Sequence, residues 1–434
     1  MYRETAGLVM YGQLGKDSIL MKLGSLVEKM EHDDSYSREE LVRAIYDEVY
    51  RLLDLSTTYG FDNNLWQCYI AYLLATTENP FSILCETVGA SKDGTVNEIV
   101  KQDMEHFYRL FHYDFSEMEK KLGVACFETL THYHSMAKAE NTYNKSVSEK
   151  VRDLASQLCE AKNGEDFFDI VTAFYKRYGV GKFGLNKAFR VVHTGDEMVL
   201  SPITHTSDVT LDELIGYELQ KKQLVENTEA FVEGRRANNC LLFGDSGTGK
   251  STCIKAILNQ YYEKGLRLIE VYKHQFKDLN DIIAQIKNRN YKFIIYMDDL
   301  SFEEFEIEYK YLKAVIEGGL EKKPNNVLIY ATSNRRHLIR ETFKDKQDRD
   351  EDMHTNDTVQ EKLSLVARFG VTIYYGAPTK KEFQQIVKEL AKANQIQMPE
   401  EELLLEANKW ELAHGGLSGR TAQQFIDFLL GQNA

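Results

Sequence analysis

The sequence predicts an α/β protein in which a mainly α-helical N-terminal region precedes a three-layer domain with a five-stranded parallel sheet. Beyond about residue 206, short apolar runs alternate with helical patterns, whereas the residues before it show helical periodicity alone. Continuous apolar runs separated by helices are typical of parallel strands that are buried on both faces. From residue 378 onward the pattern is again only helical. We therefore expect a C-terminal helical lid after the sheet.

Composition sets the broad class of the protein. A chain of 434 residues with 43% hydrophobic and 28% charged residues can form two or three globular domains with real cores. Its net charge of −14 gives no general attraction to nucleic acid or to anionic membranes, so neither is indicated as a partner. The six cysteines form no CxxC pair and no zinc pattern, and no signal peptide or membrane-length apolar run is present. We expect a cytoplasmic protein with reduced thiols.

The N-terminal region shows amphipathic helical patterns. In residues 37–55 apolar side chains recur at helical spacing, and Ser37 with Glu40 has the spacing of a capping box. Residues 103–122 and 146–158 show similar patterns, while residues 141–148 are polar and indicate a loop. No pattern in this region predicts a catalytic or metal site.

Domain boundaries follow from the change in pattern. The polar stretch 204–212 is interpreted as a linker, so the predicted domains are 1–205 (helical, role unknown), 206–376 (α/β) and 377–434 (helical lid). The five predicted strands are residues 239–243, 268–271, 293–297, 327–331 and 371–375.

Residues 244–251 read GDSGTGKS and match the phosphate-binding P-loop pattern at every fixed position, between an apolar strand and a helical run. Glycines let backbone N–H groups point at phosphates, and the following helix adds its positive end. Lys250 is expected on the β- and γ-phosphates and the hydroxyl of Ser251 on Mg²⁺. The residues expected to bind the nucleotide here are Gly244, Asp245, Ser246, Gly247, Thr248, Gly249, Lys250, Ser251 and Thr252. The second glycine-rich stretch, residues 179–184, has no Ser or Thr after its lysine and is predicted to be a loop.

The apolar run 293–297 ends in two carboxylates, Asp298 and Asp299. Beside the phosphate-binding strand, Asp298 is expected to reach the magnesium ion and Asp299 to orient and polarise water. A pair of aspartates after a strand is also a common turn or helix cap, and this reading stays open.

In order, these elements resemble those of AAA+ ATPases, over about residues 208–430. The resemblance implies that Ile215, Gly216 and Tyr217 contact adenine. It further implies that Asn334, after the strand 327–331, contacts the attacking water or the γ-phosphate. Arg420 in GLSGR is similar to the sensor arginine of the lid.

Arg368, in ARFG before the last strand, resembles the arginine finger that acts on the ATP of a neighbouring subunit. That role implies a homo-oligomer when ATP is bound. Arg335 and Arg336 compete for the finger role, and Arg368 and Arg420 could instead be surface salt-bridge partners.

Residues 312–338 resemble, more narrowly, a bacterial group of predicted ATPases of unknown function. Asp299 departs from the glutamate usual in AAA+ proteins, and the same Asp-Asp pair occurs in replication initiators and helicase loaders. Because aspartate is one methylene shorter, we expect slow, switch-like turnover. Residues 340–362 are almost entirely polar and are expected to form a solvated loop.

Three functions follow from these patterns. The first is an ATPase that uses ATP and Mg²⁺ to remodel or load an unknown protein bound by residues 1–205. The second is an ATP-dependent binding switch or scaffold with little hydrolysis. The third is a P-loop small-molecule kinase, which requires neither the lid arginine Arg420 nor Asn334.

Overall fold

The computed structural model describes residues 1–32, 36–90, 94–135, 144–195, 197–302, 308–317, 324–334, 338 and 365–432. They divide into two compact units. The helical unit consists of Met1–Lys187 with Pro202–His205, and the sheet unit consists of Ala188–Ser201 with Thr206–Ala434.

The helical unit is built from short and medium helices. They are α1 Tyr2–Ala6, α2 Ile19–His32, α3 Arg38–Tyr59, α4 Leu65–Thr76, α5 Pro80–Val88, α6 Thr95–Phe111, α7 Ser116–Leu122, α8 Phe127–Thr131, α9 Lys145–Glu160, α10 Gly164–Tyr178 and α11 Gly181–Leu185. The predicted capping box is present at the start of α3, where Ser37 accepts from the backbone of Glu40 and Glu40 accepts from that of Ser37.

Residues 103–122, which show a helical pattern, form the end of α6 and all of α7. The chain leaves the helix at His112 and re-enters it after Asp114, whose carboxylate accepts from the amide and hydroxyl of Ser116. Two loop predictions for this unit are wrong in part. Helix α9 begins at Lys145, inside the predicted loop 141–148. The predicted loop 179–184 contains the start of α11.

One buried carboxylate fixes the N-terminal segment of the helical unit. Asp103 on α6 is fully buried and accepts hydrogen bonds from the backbone amides of Val9 (2.9 Å), Met10 (2.8 Å) and Tyr11 (3.0 Å). Three amide donors offset the cost of burying a carboxylate. The polar group that interrupts the apolar face of α6 therefore has a structural explanation.

The sheet unit contains one seven-stranded sheet. Its strands are β1 Ala188–Thr194, β2 Glu197–Pro202, β3 Cys240–Gly244, β4 Leu266–Glu270, β5 Lys292–Met297, β6 Val327–Ser333 and β7 Val371–Tyr375. The order is β2-β1-β4-β5-β6-β3-β7, and each neighbouring pair from β1 to β7 is parallel. All five predicted strands are present, but the predicted number is wrong. The additional strands β1 and β2 lie within residues 1–205, which the sequence predicted to be helical.

The sheet unit also contains helices between and after the strands. They are α12 Glu218–Val232, α13 Lys250–Tyr261, α14 Leu279–Ile286, α15 Glu308–Glu317, α16 Lys380–Ala393, α17 Glu400–Ala413 and α18 Gly419–Gln432, with 3₁₀ turns at Tyr262–Lys264 and Lys273–Asp278. Helices α16–α18 form the lid and pack around their own core, in which Phe383, Ile426 and Phe425 are almost completely buried. No helix in the described ranges is long and apolar enough to cross a membrane.

The strand order brings the polar ends of three strands together. β3 lies between β6 and β7, and β5 lies next to β6. Because these strands are parallel, the residues that follow them meet at the carboxyl edge of the sheet, where ligands bind in open α/β sheets. This edge carries the loop after β3, the aspartates after β5 and Asn334 after β6.

Candidate functional site

The loop after β3 is a tight backbone turn that requires glycine. Gly244 has φ +135°, and a Cβ there would collide with the carbonyl of Tyr375 on β7. Gly247 has φ +75°, and a Cβ there would lie 3.0 Å from Oγ of Ser418 and 3.1 Å from Cβ of Arg420. L-residues with a side chain rarely adopt such φ values, so both positions favour glycine. The loop therefore runs close to β7 on one side and to the lid on the other.

Lys250 begins α13 and is only 7% exposed. Its Nζ donates to the carbonyls of Gly244 (3.1 Å) and Asp245 (2.6 Å) and to Oδ1 of Asn334 (3.1 Å). Burial lowers the pKa of Lys250, and nearby carboxylates, of which Asp245 has the largest effect, oppose that decrease. The ammonium group is thus held by two carbonyl oxygens of the loop and by the amide oxygen of Asn334, and a phosphate group also presents oxygen acceptors.

Asp298 is held by two hydroxyl groups. Its Oδ1 accepts from Oγ of Ser251 (2.6 Å) and from Oγ1 of Thr332 (2.6 Å). Partial burial disfavours the carboxylate, but the hydrogen bonds from Ser251 and Thr332 outweigh it, so the pKa of Asp298 is lowered. The result is an ionised carboxylate next to a serine hydroxyl, which is a pair of hard oxygen ligands of the type that Mg²⁺ prefers.

Asp299 has an unusual backbone conformation. Its φ is +49°, and its amide donates to Oγ1 of Thr332 at 2.9 Å. Its Oδ1 accepts from Nδ2 of Asn334 at 2.8 Å. Asn334 therefore joins Lys250 to Asp299, and the four predicted residues Lys250, Asp298, Asp299 and Asn334 lie in one hydrogen-bonded network with Thr332.

The lid contacts the loop after β3 directly. The backbone amide of Arg420, at the start of α18, donates to the carbonyl of Gly247 at 3.1 Å. The carboxylate of Asp245 accepts from the amide of Ala377 at 2.7 Å, in the connection between β7 and the lid. The side chain of Asp245 is therefore bonded to this connection, although the sequence placed it with the nucleotide ligands.

A cavity of about 1100 Å³ lies between the loop and the lid. Predicted residues that line it are Ile215, Tyr217, Ser246, Gly247, Thr248, Gly249, Lys250, Ser251, Thr252, Asp298, Asp299, Asn334 and Arg420. This volume is slightly above the upper limit of about 1,000 Å³ that is usual for small-molecule and cofactor sites. One wall carries the cation of Lys250, and the acidic groups lie at the edge of the sheet.

Residues 215–217 approach the cavity from before α12. Tyr217 has φ +59°, its hydroxyl donates to the carbonyl of Gly376 at 2.9 Å, and its ring centroid lies 5.2 Å from that of Tyr375. Burial raises the pKa of Tyr217 to about 12. Ile215 packs against the lid core, and Gly216 between them has φ +83°. The segment bridges the sheet and the lid beside the cavity.

Residues 185–433 match the sequence profile of the family described as "Protein of unknown function (DUF815)". The chain belongs to this family. Among curated proteins, no relative matches the chain.

Two solved structures represent the similarities found. The Thermotoga maritima RuvB Holliday junction branch migration motor is 15% identical, with 50% of this chain and 71% of that chain covered and a TM-score of 0.32. The FIGL-1 AAA domain in complex with ADP is 16% identical, with 52% and 74% covered and a TM-score of 0.35. Membership of the family therefore rests on the profile match alone. The α/β fold with a mostly parallel sheet is seen directly in this chain.

Arg368 of this DUF815 chain lies away from the cavity wall. It follows Leu365 just before β7 and forms an ion pair with Glu317 at the end of α15. Arg335, Arg336 and the loop 340–362, which the sequence also singled out, lie outside the described residues.

Sequence reasoning missed several residues that line the cavity. Thr332 was passed over although it stands two positions before Asn334, and Leu214 precedes the predicted base-contacting segment. One face of α16 contributes Ile386, Glu389, Leu390 and Ala393. Their spacing of three and four residues was visible in the sequence, but it showed only that they share one face of the helix and not that this face lines a cavity.

Proposed function

We propose that this DUF815 chain is an AAA+ ATPase that binds Mg²⁺-ATP in the cavity and hydrolyses it slowly. The observation that carries the proposal is the single network that joins Lys250, Asp298, Asp299 and Asn334 at the carboxyl edge of the sheet. A P-loop turn with its lysine, a strand ending in acids and a polar residue on the next strand supply the parts that phosphoryl transfer to water requires.

The residues present fit the nucleotide phosphates and a magnesium ion. In the proposal, phosphate oxygens replace the loop carbonyls as acceptors for Lys250, and the amides of the loop donate to the remaining oxygens. Oγ of Ser251 and Oδ1 of Asp298, which lie 2.6 Å apart, would hold the magnesium ion. The ion supplies neutralisation of the charge that develops on the phosphates.

Two side chains are assigned to the attacking water. Asp299 carries the carboxylate that accepts a proton from water. Asn334, which bonds to that carboxylate and to Lys250, is assigned to the attacking water or the γ-phosphate. Arg420 is assigned to the phosphates from the lid, since its backbone already contacts Gly247. Ile215, Gly216 and Tyr217 are assigned to the adenine ring.

Arg368 is assigned to the ATP of a neighbouring subunit. Its fixed positive charge would offset the charge of the transferring phosphoryl group, and in its own chain it is paired with Glu317 outside the cavity wall. The active form is therefore proposed to be a homo-oligomer. We further propose that the protein acts in the cytoplasm, that residues 1–205 bind a protein client, and that 206–376 and 377–434 act as motor domain and lid.

A mixing experiment tests the enzymatic proposal and the shared site together. Asp299→Asn and Arg368→Ala are each expected to abolish most phosphate release, because one lacks the base and the other the finger. Mixed in equal amounts, they should recover activity, since some interfaces then combine an intact Asp299 with an intact Arg368. Phosphate release by Arg368→Ala equal to wild type at every protein concentration contradicts the role of Arg368.

A binding switch is the second candidate, and one contact favours it. Oδ1 of Asp299 is already bonded to Asn334, and the aspartate is one methylene shorter than glutamate. This shorter, anchored carboxylate reaches less far toward the attacking water, and general-base catalysis depends on that reach. If wild type binds Mg²⁺-ATP but releases no phosphate above background, alone or assembled, the switch is the better description.

A further inference from the structure

One buried hydroxyl connects the two acids at the end of β5. Thr332 on β6 is 2% exposed. Its Oγ1 donates to Oδ1 of Asp298 at 2.6 Å and accepts from the amide of Asp299 at 2.9 Å. Its carbonyl accepts from the amide of Leu300 at 2.7 Å. Three consecutive residues after β5 are thus bonded to this one residue.

The direction of each hydrogen bond is fixed by chemistry. An amide can only donate and an ionised carboxylate can only accept, so the hydroxyl receives from Asp299 and gives its single proton to Asp298. Serine and threonine share this ability to bond in both directions at once. An aliphatic side chain of the same shape provides neither bond.

Each of the two bonds has a local consequence. Asp299 has φ +49°, a conformation that residues with a side chain seldom adopt, and the bond from its amide helps hold it there. Asp298 carries the oxygen that also accepts from Ser251, so the bond from Thr332 sets where that oxygen points. The position of both carboxylates therefore depends on one side chain that is almost completely buried.

We infer that Thr332 is a positioning residue for metal-assisted hydrolysis. It orients Asp298 toward the metal and holds the backbone of Asp299 so that its carboxylate meets Asn334. This inference rests on the proposed function, because it assigns a task to a residue that is bonded to the proposed metal ligand and the proposed base. Outer-shell partners of this kind typically change metal affinity or activity when they are removed.

The variants separate positioning from packing. Thr332→Val removes the hydroxyl and keeps the shape, whereas Thr332→Ser keeps the hydroxyl and removes a methyl group. Thr228→Val is the matched control, since Thr228 is also fully buried, donates to the carbonyl of Leu224 and contacts the hydroxyl of Tyr330. It lies on α12 and does not line the cavity.

The measurements are phosphate release as a function of ATP and of Mg²⁺, and ATP affinity with Mg²⁺ and with a chelator. Thr332→Val should lower kcat by roughly 10- to 100-fold and raise the Mg²⁺ concentration for half-maximal activity, as removal of an outer-shell partner does. Its ATP affinity in chelator should stay at the wild-type value, whereas its ATP affinity with Mg²⁺ should fall. Mg²⁺ should therefore strengthen ATP binding less in Thr332→Val than in wild type. Thr332→Ser and Thr228→Val should keep the wild-type response to Mg²⁺.

The outcomes distinguish the inference from the proposed function. Wild type that binds no nucleotide overturns both. If wild type binds Mg²⁺-ATP without turnover, Thr332 is tested by the ratio of ATP affinity with Mg²⁺ to ATP affinity in chelator. A ratio for Thr332→Val equal to that of wild type overturns the inference. A Thr332→Val variant with the wild-type response to Mg²⁺ overturns the inference alone, even if its thermal stability falls as much as that of Thr228→Val, because packing would then explain the residue.

Discussion

Replacing Asp299 by glutamate should slow the proposed hydrolysis of ATP. The backbone at residue 299 has φ +49°, which aspartate and asparagine tolerate better than longer side chains. We assign about 1 kcal/mol to placing glutamate there, from the lower end of the range for left-handed L-residues. The longer side chain also displaces the carboxylate from Nδ2 of Asn334, a contact of 2.8 Å in the native protein. Losing that hydrogen bond costs about 1 kcal/mol more.

Together these costs amount to about 2 kcal/mol, which corresponds to a decrease in turnover of roughly 30-fold. The assay is steady-state phosphate release at saturating Mg²⁺-ATP, with thermal unfolding of each variant measured in parallel. Asp299→Asn is the control for the backbone: it should fold as wild type and bind ATP, because asparagine accepts the same conformation and can still bond to Asn334. Turnover by Asp299→Glu equal to or above wild type would falsify the argument from backbone conformation.

Three further predictions follow from contacts of single side chains. Asp245→Ala removes the acceptor for the amide of Ala377, so hydrogen exchange of that amide should become faster; an unchanged exchange rate contradicts the contact. Asp103→Ala leaves three amides without their acceptor and should destabilise the helical unit by roughly 3 kcal/mol in denaturant unfolding. Because ATP binding is assigned to the other unit, ATP affinity of that variant should match wild type, and a large loss of affinity would count against the assignment. Thr379→Ala removes the capping box of α16 and should lower the stability of the lid by about 1 kcal/mol, whereas Thr379→Ser should not.

The sequence predicts the elements whose signal is local. The five apolar runs became strands because strands buried on both faces need continuous apolar residues. The capping box at Ser37 could be predicted from the sequence because both of its partners lie within one helical turn. The glycines of residues 244–249 were readable because their backbone conformation demands them.

Contacts between residues far apart in the chain could not be predicted from local sequence patterns. Asp245 belongs to the phosphate-binding pattern, but its carboxylate bonds to an amide 132 positions away. Thr332 follows the predicted strand 327–331 and was given no role, and only the pairing of β5 with β6 places it next to Asp298 and Asp299. The strands β1 and β2 were missed because polar residues interrupt them, so no continuous apolar run marks them.

The position of β1 determines which fragments of this protein can be studied alone. Residues 188–190 pair with Leu268, Ile269 and Glu270 of β4. A fragment cut at residue 206 would lose both β1 and β2 and leave the backbone groups of β4 exposed along a new sheet edge. Such edges pair with other chains and aggregate. A fragment of the sheet unit that stays in solution should therefore start before Ala188, close to residue 185, where the family match also begins.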